Sequence, residues 1–337
     1  MKKIFLLLAF FSVAEFTYGA RYWVGGGSSS NWNATSPTNW SDVSGGSNNF
    51  SVPGSTDDVI FDGALPNGNA SSIISAAITI KSWTITSGYT ATSTHNAVLT
   101  IKGNITLQTG VTFAGGSGIG VSAAGTWTSN GKTWPNSFNI GAGSFIYTLA
   151  DAWTIGGSLT TTNSVGTNAT MNGYSMTVGG GLTIQFASIL GTTDIILNGT
   201  GTWSKANDGW IRNDLEIATT GTITVSGTVA YTAGTLKYTL GTVSTANSTL
   251  KAGSPVTLNT GGSSVPWNNV TFLPYNPNAG STATFSSTLT VNGTLTYSST
   301  NYVFFSGGDI DASGNITVSN SSASASGGGT TNINIIT

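Results

Sequence analysis

The chain has no cysteine, a single histidine, and only 7% charged residues among its 337. Each shortage excludes something. Without cysteine there is no disulfide framework, no thiolate metal site and no lipid attached to an N-terminal cysteine. One histidine, His95, rules out a multi-histidine metal centre, and no second feature supports a Ser-His-Asp arrangement around it. His95 lies in Ser93-Thr94-His95-Asn96, which reads as a polar turn. A formal net charge of −2 gives no electrostatic grip on nucleic acid or anionic lipid. Helical periodicity is missing after the first twenty residues, and no later apolar run is long enough to anchor the chain in a bilayer.

What is present is glycine (46 residues), with Thr, Ser and Asn in most polar positions. Hydrophobic residues reach 38% and aromatics 10%, which separates the chain from disordered sequences of similar polarity. Thr, Val, Ile and Tyr favour strands, and Gly and Asn favour turns.

A nine-residue phrase recurs: apolar, Thr, apolar, any, Gly, any, apolar, Thr, apolar. It runs from Leu99 to Leu107, Trp153 to Thr161, Met176 to Ile184, Ile223 to Tyr231 and Leu289 to Tyr297, with looser copies from Ile195 to Trp203 and Ile310 to Val318. Each copy reads as two short alternating strands hinged at a Gly that supplies a bend. Copies starting at 153, 176 and 195, and again at 289 and 310, lie about one solenoid turn apart, roughly 20 residues. The larger gaps read as small multiples of that spacing. One unit cannot bury its apolar face alone, but a stack can. The expectation is a right-handed parallel β-helix (β-solenoid) of all-β class with an N-terminal cap.

Four segments follow. Residues 1–20 read as a secretory signal peptide, because Lys2 and Lys3 precede the apolar run Ile4 to Val13. Ser12-Val13-Ala14 offers one cleavage point, and a cut after Gly19 or Ala20 is favoured because Arg21 opens a motif. Residues 21–63 form an aromatic head, 64–320 the repeat body, and 321–337 a flexible Ser/Gly-rich tail in which Asn332 to Ile336 alternates as a last strand. The head reads Trp23-Val24-Gly25-Gly26, Trp32, Asn39-Trp40-Ser41, Val52-Pro53-Gly54 and Asp57-Asp58-Val59-Ile60-Phe61. Its three Trp can cover the open end of a solenoid, each indole N–H needing one partner, while Asp57 or Asp58 bonds local backbone N–H groups.

This order of motifs resembles the N-terminal cap segment of secreted bacterial β-helix surface proteins and of phage structural proteins. The resemblance implies a β-helix and says little about activity. For polysaccharide lyases on β-helices it implies acidic calcium ligands beside a basic residue, and Arg21 and Arg212 are the two arginines available.

The best enzymatic cluster is therefore Arg212 with Asp208, Asp214 and Glu216, and a surface ion pair is the plainer and preferred account of it. Asp309 and Asp311 have the same two-residue spacing as Asp214 and Glu216. Asp57, Asp58 and Asp62 are possible oxygen ligands for calcium, but the nonapeptide of calcium solenoids is missing. The recurring Trp read first as core filler and second as a row that stacks on sugars.

The reading is then a non-catalytic, secreted or cell-surface solenoid, an adhesin-like binder or structural rod, with no catalytic residue, cofactor or metal assigned. Candidate ligand-binding residues are Trp203, Trp210, Arg212, Asp214 and Glu216. Partners are glycans or other surface proteins, without nucleic acid and without a membrane-spanning segment, and homo-oligomerisation is left open. Two alternatives are a phage tail-fibre or tail-spike protein and a polysaccharide lyase or glycoside hydrolase.

Overall fold

The structure, a computed structural model, describes residues 19–337 except 142, 163–167, 186–187, 207–208, 262–264, 275–280, 299–302, 319–332 and 336–337. The signal-peptide reading, most of the tail and Asp208 lie outside the described residues. Among the described residues there is no helix, and apart from one antiparallel contact every strand pair is parallel. The molecule is a β-solenoid whose turns each give one strand to each of three faces.

The first face runs through Asp58–Phe61, Ser82–Ile85, Ile105–Thr106, Gly125–Thr128, Phe145–Leu149, Asn168–Gly173 and Ser188–Gly191. Ile211, bridged to Ile189 and Tyr231, carries it on to Thr228–Thr232 and then to Ile316–Val318. The second face stacks Ile78–Ile80, Leu99–Ile101, Ile119–Val121, Phe138–Ile140, Leu159–Thr162, Leu182–Gln185 and Gly201–Ala206. It resumes, through a bridge between Trp267 and Val291, as Leu289–Val291, Ile310–Ala312 and Ile333–Ile335. The third face begins as Ser72–Ile74, Thr92–His95 and Thr112–Ala114 and continues from Thr133–Trp134 through Trp153–Ile155, Met176–Val178 and Ile195–Leu197. Ring packing of Trp134 against Phe113 and His95, both with centroids 4.9 Å away, joins its two pieces.

Alternation explains the core. On the second face Leu99, Ile119, Phe138, Leu159, Leu182 and Trp203 point inward in register, one per turn. The residues between them, Thr100, Gly120, Asn139, Thr160, Thr183 and Ser204, form an outward row. Nine Trp are wholly buried, and each removes about 200 Å² from water, on the order of 5 kcal/mol before entropy is counted. Stacking on both sides lets strands of three or four residues hold, although one such strand alone would be unstable.

The repeated phrase does form two strands around each Gly, and the copies at 153, 176 and 195 stack directly, as do those at 289 and 310. Two expectations need correction. The copies do not form one series. Those at 153, 176 and 195 turn the corner from the third face to the second, whereas those at 99, 223, 289 and 310 turn the corner from the second to the first. Nor is the Gly a bend at every copy: Gly227 is one, with φ +66° and open space around it, but most of the others are held by a close neighbour. At Gly157 φ is not positive; an added Cβ there would lie 2.5 Å from the backbone of Asn136 and Ser137 in the preceding turn. Glycine is needed at this corner because two backbones lie against each other.

The head closes the N-terminal end. Trp40–Ser41 pairs antiparallel to Ala20–Trp23 at the edge of the first face. Trp23, Trp32 and Trp40 gather around Phe61 at centroid distances of 5.5, 5.3 and 5.9 Å. The Trp23 indole donates to Ala70 O (2.9 Å) and that of Trp40 to Trp32 O (2.7 Å), while the Trp32 N–H finds no protein acceptor. Asp57 Oδ2 accepts the Gly54 N–H at 2.8 Å and so sets the Pro-Gly turn. Ile333–Ile335 pairs with Ile310–Ala312 of its own chain and extends the second face by one strand.

His95 is not in a loop. It ends the strand Thr92–His95, is fully buried, and lies between Trp83 (5.5 Å), Phe113 (6.0 Å) and Trp134 (4.9 Å). Its Nε2 is 3.2 Å from Ser93 Oγ, which also accepts from Ser72 Oγ at 3.2 Å; Nδ1 has no partner among the described residues. Burial pushes the imidazole down to about 3, so the ring is neutral.

Candidate functional site

The five residues singled out from sequence fall along one turn but do not line one cleft. Trp203 is interior, in register between Leu182 and Val225, with its ring 6.2 Å from that of Trp267. It cannot stack on a ligand, and its place among the binding candidates is corrected. Trp83, Trp127, Trp134 and Trp267 are interior too, as core filler. Trp210 is half-buried on the first face, with Lys205 Nζ 5.9 Å from its ring centroid. Arg212 is half-buried on the same face, its N–H bonded to Ile189 O.

Between Arg212 and Asp214 the chain turns a corner around Asn213, whose side chain is buried and donates to Thr193 O at 2.9 Å. Beyond it Asp214 and Glu216 face outward on the third face, on either side of the inward Leu215. Asp194 holds the equivalent position one turn earlier, because Ile195 pairs with Leu215. Its carboxyl titrates above the usual range, first through partial burial and then through the charges of Asp214 and Glu216.

One oxygen of Asp214 and one of Glu216 already accept hydrogen bonds. Asp214 Oδ1 accepts the Thr235 N–H at 2.7 Å. Glu216 Oε1 accepts from the Thr239 hydroxyl and, at 3.0 Å, from Lys237 Nζ. The Thr239 bond, then Lys237, holds the Glu216 carboxyl below its ordinary value. A carboxylate so held is a poor proton acceptor. In the head, Asp57 pairs with Arg21 at 3.6 Å, Asp58 binds Lys81 (2.8 Å) and Ser82 (2.5 Å), and Asp62 accepts the Ala64 N–H at 3.0 Å. No group of three or more metal-ligating side chains occurs among the described residues.

A cleft that sequence reading missed lies over the second face. It encloses about 410 Å³ and is centred on Gly120, with Thr100 on one side and Asn139 and Thr160 on the other. From Thr79 through Ser204 the outward row carries a Thr, Asn or Ser at every turn except that of Gly120. The signal was present in the triplet Ile119-Gly120-Val121, where glycine replaces the usual polar centre of an apolar-polar-apolar strand. Two further clefts, about 490 Å³ beside Gly25 and Asn48 and about 300 Å³ beside Gly234 and Pro255, also exclude the five candidates.

Comparison with protein-family models, with curated proteins and with solved structures finds no match. Fold and surface chemistry thus define the protein's class as a parallel β-solenoid.

Proposed function

We propose that the protein is a secreted or cell-surface solenoid that acts without catalysis, as an adhesin-like rod binding glycans or other surface molecules. The row Thr79, Thr100, Asn139, Thr160, Thr183 and Ser204 carries the reading. It presents hydroxyl and amide groups at a fixed rise of about 4.8 Å per turn on a rigid face. Such a surface suits many weak contacts added along one axis, where avidity replaces a single deep site. The hydrogen bonds already accepted by Asp214 and Glu216 support the non-catalytic part.

Binding of the purified protein to glycans immobilised at graded densities tests it. The reading expects retention to rise more steeply than surface density. New reducing ends or unsaturated products from a polysaccharide panel, lost in Asp214→Asn, would establish the enzymatic alternative instead.

A further inference from the structure

The geometry points to the cleft over Gly120 as a subsite for one neutral pyranose ring, a proposal that rests on the glycan-binding reading above. Gly120 is the observation to explain. It occupies the middle of the strand Ile119–Val121, where glycine is a poor strand former. Its φ is not positive, and an added Cβ would meet only Thr100 Oγ1, at an ordinary 3.6 Å. Gly118 and Gly141, also in the lining, differ: a Cβ on either would lie 2.5 and 2.7 Å from backbone oxygens of Ser137 and Val121. Stacking therefore requires those two glycines and does not require Gly120. What the absent side chain at 120 does is open the surface.

The opening has the dimensions and chemistry of a sugar site. Thr100 and Asn139 flank Gly120 one turn away on each side, so their side chains stand about two strand spacings apart, roughly 9.6 Å. A six-membered ring fits flat between them on the Gly120 backbone. The volume of about 410 Å³ falls in the range of small-ligand sites, about 300–1,000 Å³.

Thr162 Oγ1 donates to Asn139 Oδ1 at 2.9 Å, which fixes the amide and leaves its nitrogen as a donor. The Thr100 and Thr160 hydroxyls, each able to donate and accept, complete a polar rim, and Val98, 47% exposed, supplies an apolar edge for C–H groups. No lining residue is ionisable, so nothing there balances a carboxylate, sulfate or amine on the ligand.

Saturation-transfer NMR on the full chain, with the methyl β-glycosides of glucose, galactose and N-acetylglucosamine as neutral probes and glucuronate and glucosamine as charged ones, tests the site. Transfer is expected to the neutral probes and not to the charged ones. Gly120→Thr, which completes the row, should reduce it at least tenfold with an equal or higher melting temperature, and Asn139→Ala should weaken it. Thr183→Ala, further along the same row, should bind like the parent. If Gly120→Thr folds poorly, Gly120→Ser serves the same comparison. Undiminished transfer in the filled variant, preference for a charged probe, or no transfer to any neutral probe would overturn the proposal. Density-dependent retention on immobilised glycans that survives Gly120→Thr would remove this subsite and leave the broader reading standing. Loss of that retention in the parent protein would remove both.

Discussion

Acidification should destabilise this protein through one buried ring. His95 is neutral in the core, and its pKa falls from 6.5 to about 3 because burial penalises the charged form. In the unfolded chain the imidazole takes up its proton near the ordinary value, so below that pH the unfolded state binds more protons than the folded state. Stability is full above about pH 6.5 and declines as pH falls toward the folded value. Each pH unit costs about 1.4 kcal/mol well inside this window and less at its upper edge, so a drop from about pH 7 to about pH 5 removes about 2 kcal/mol, before most carboxylates titrate.

No carboxylate among the described residues faces the ring to offset the charge. Trp83, Phe113 and Trp134 surround the ring, and Ser93 is the one polar side chain bonded to it. Urea denaturation at pH 7, 6 and 5 of the parent and of His95→Leu provides the assay. The variant leaves Ser93 its bond to Ser72 and removes the titration, while carboxylate contributions, including that of Asp194, cancel in the difference. The gap between the two proteins should change by about 2 kcal/mol between about pH 7 and about pH 5, in the variant's favour as pH falls. Parallel pH profiles, or a His95 NMR resonance titrating near pH 6.5, would refute the reasoning.

Three further outcomes are expected. Gly157→Ala should lose about 1–3 kcal/mol in urea denaturation, because its Cβ would press on the backbone of Asn136 and Ser137, whereas Gly116→Ala, with open space around it, should stay within about 0.5 kcal/mol; equal effects would refute the stacking argument. Trp203→Ala should cost about 3–5 kcal/mol and Trp210→Ala less than half as much, since only the first empties the core; melting curves decide. Glu216→Gln should change stability by less than about 1 kcal/mol at neutral pH, as expected of a solvent-facing pair with Lys237, and a larger loss in thermal denaturation would mark a structural role.

Strand pairs hinged at Gly, the Trp-lined head and the Asp57 turn were legible because each depends on neighbours in sequence: alternation, indole size, a carboxylate three residues from a backbone N–H. The corner taken by each repeat was not legible. Period-two alternation separates inside from outside but is identical on all three faces. His95 was misread for a related reason. In Thr92-Ser93-Thr94-His95 no apolar residue marks the inward side, and what buries Ser93 and His95 is the company of Ser72 and Trp134 from other turns. Trp203 closes a looser copy of the phrase at an apolar position, so alternation already pointed it inward, as its partners Leu182 and Val225 show; the nearby charged residues are what drew it among the binding candidates. Gly120 looked like one glycine among 46 until its turn was set beside the hydroxyl row.

One phrase serves both at the corner from the third face to the second and at that from the second to the first, so a whole coil is the natural unit of growth in this architecture. Inserting a whole coil would lengthen the molecule and preserve the compass bearing of everything downstream. Inserting a single strand with its corner would instead move copies of the phrase to the corner from the first face to the third, which none of them occupies. Such a scaffold grows along its axis by duplicating one coil of chain, without redesigning the interior.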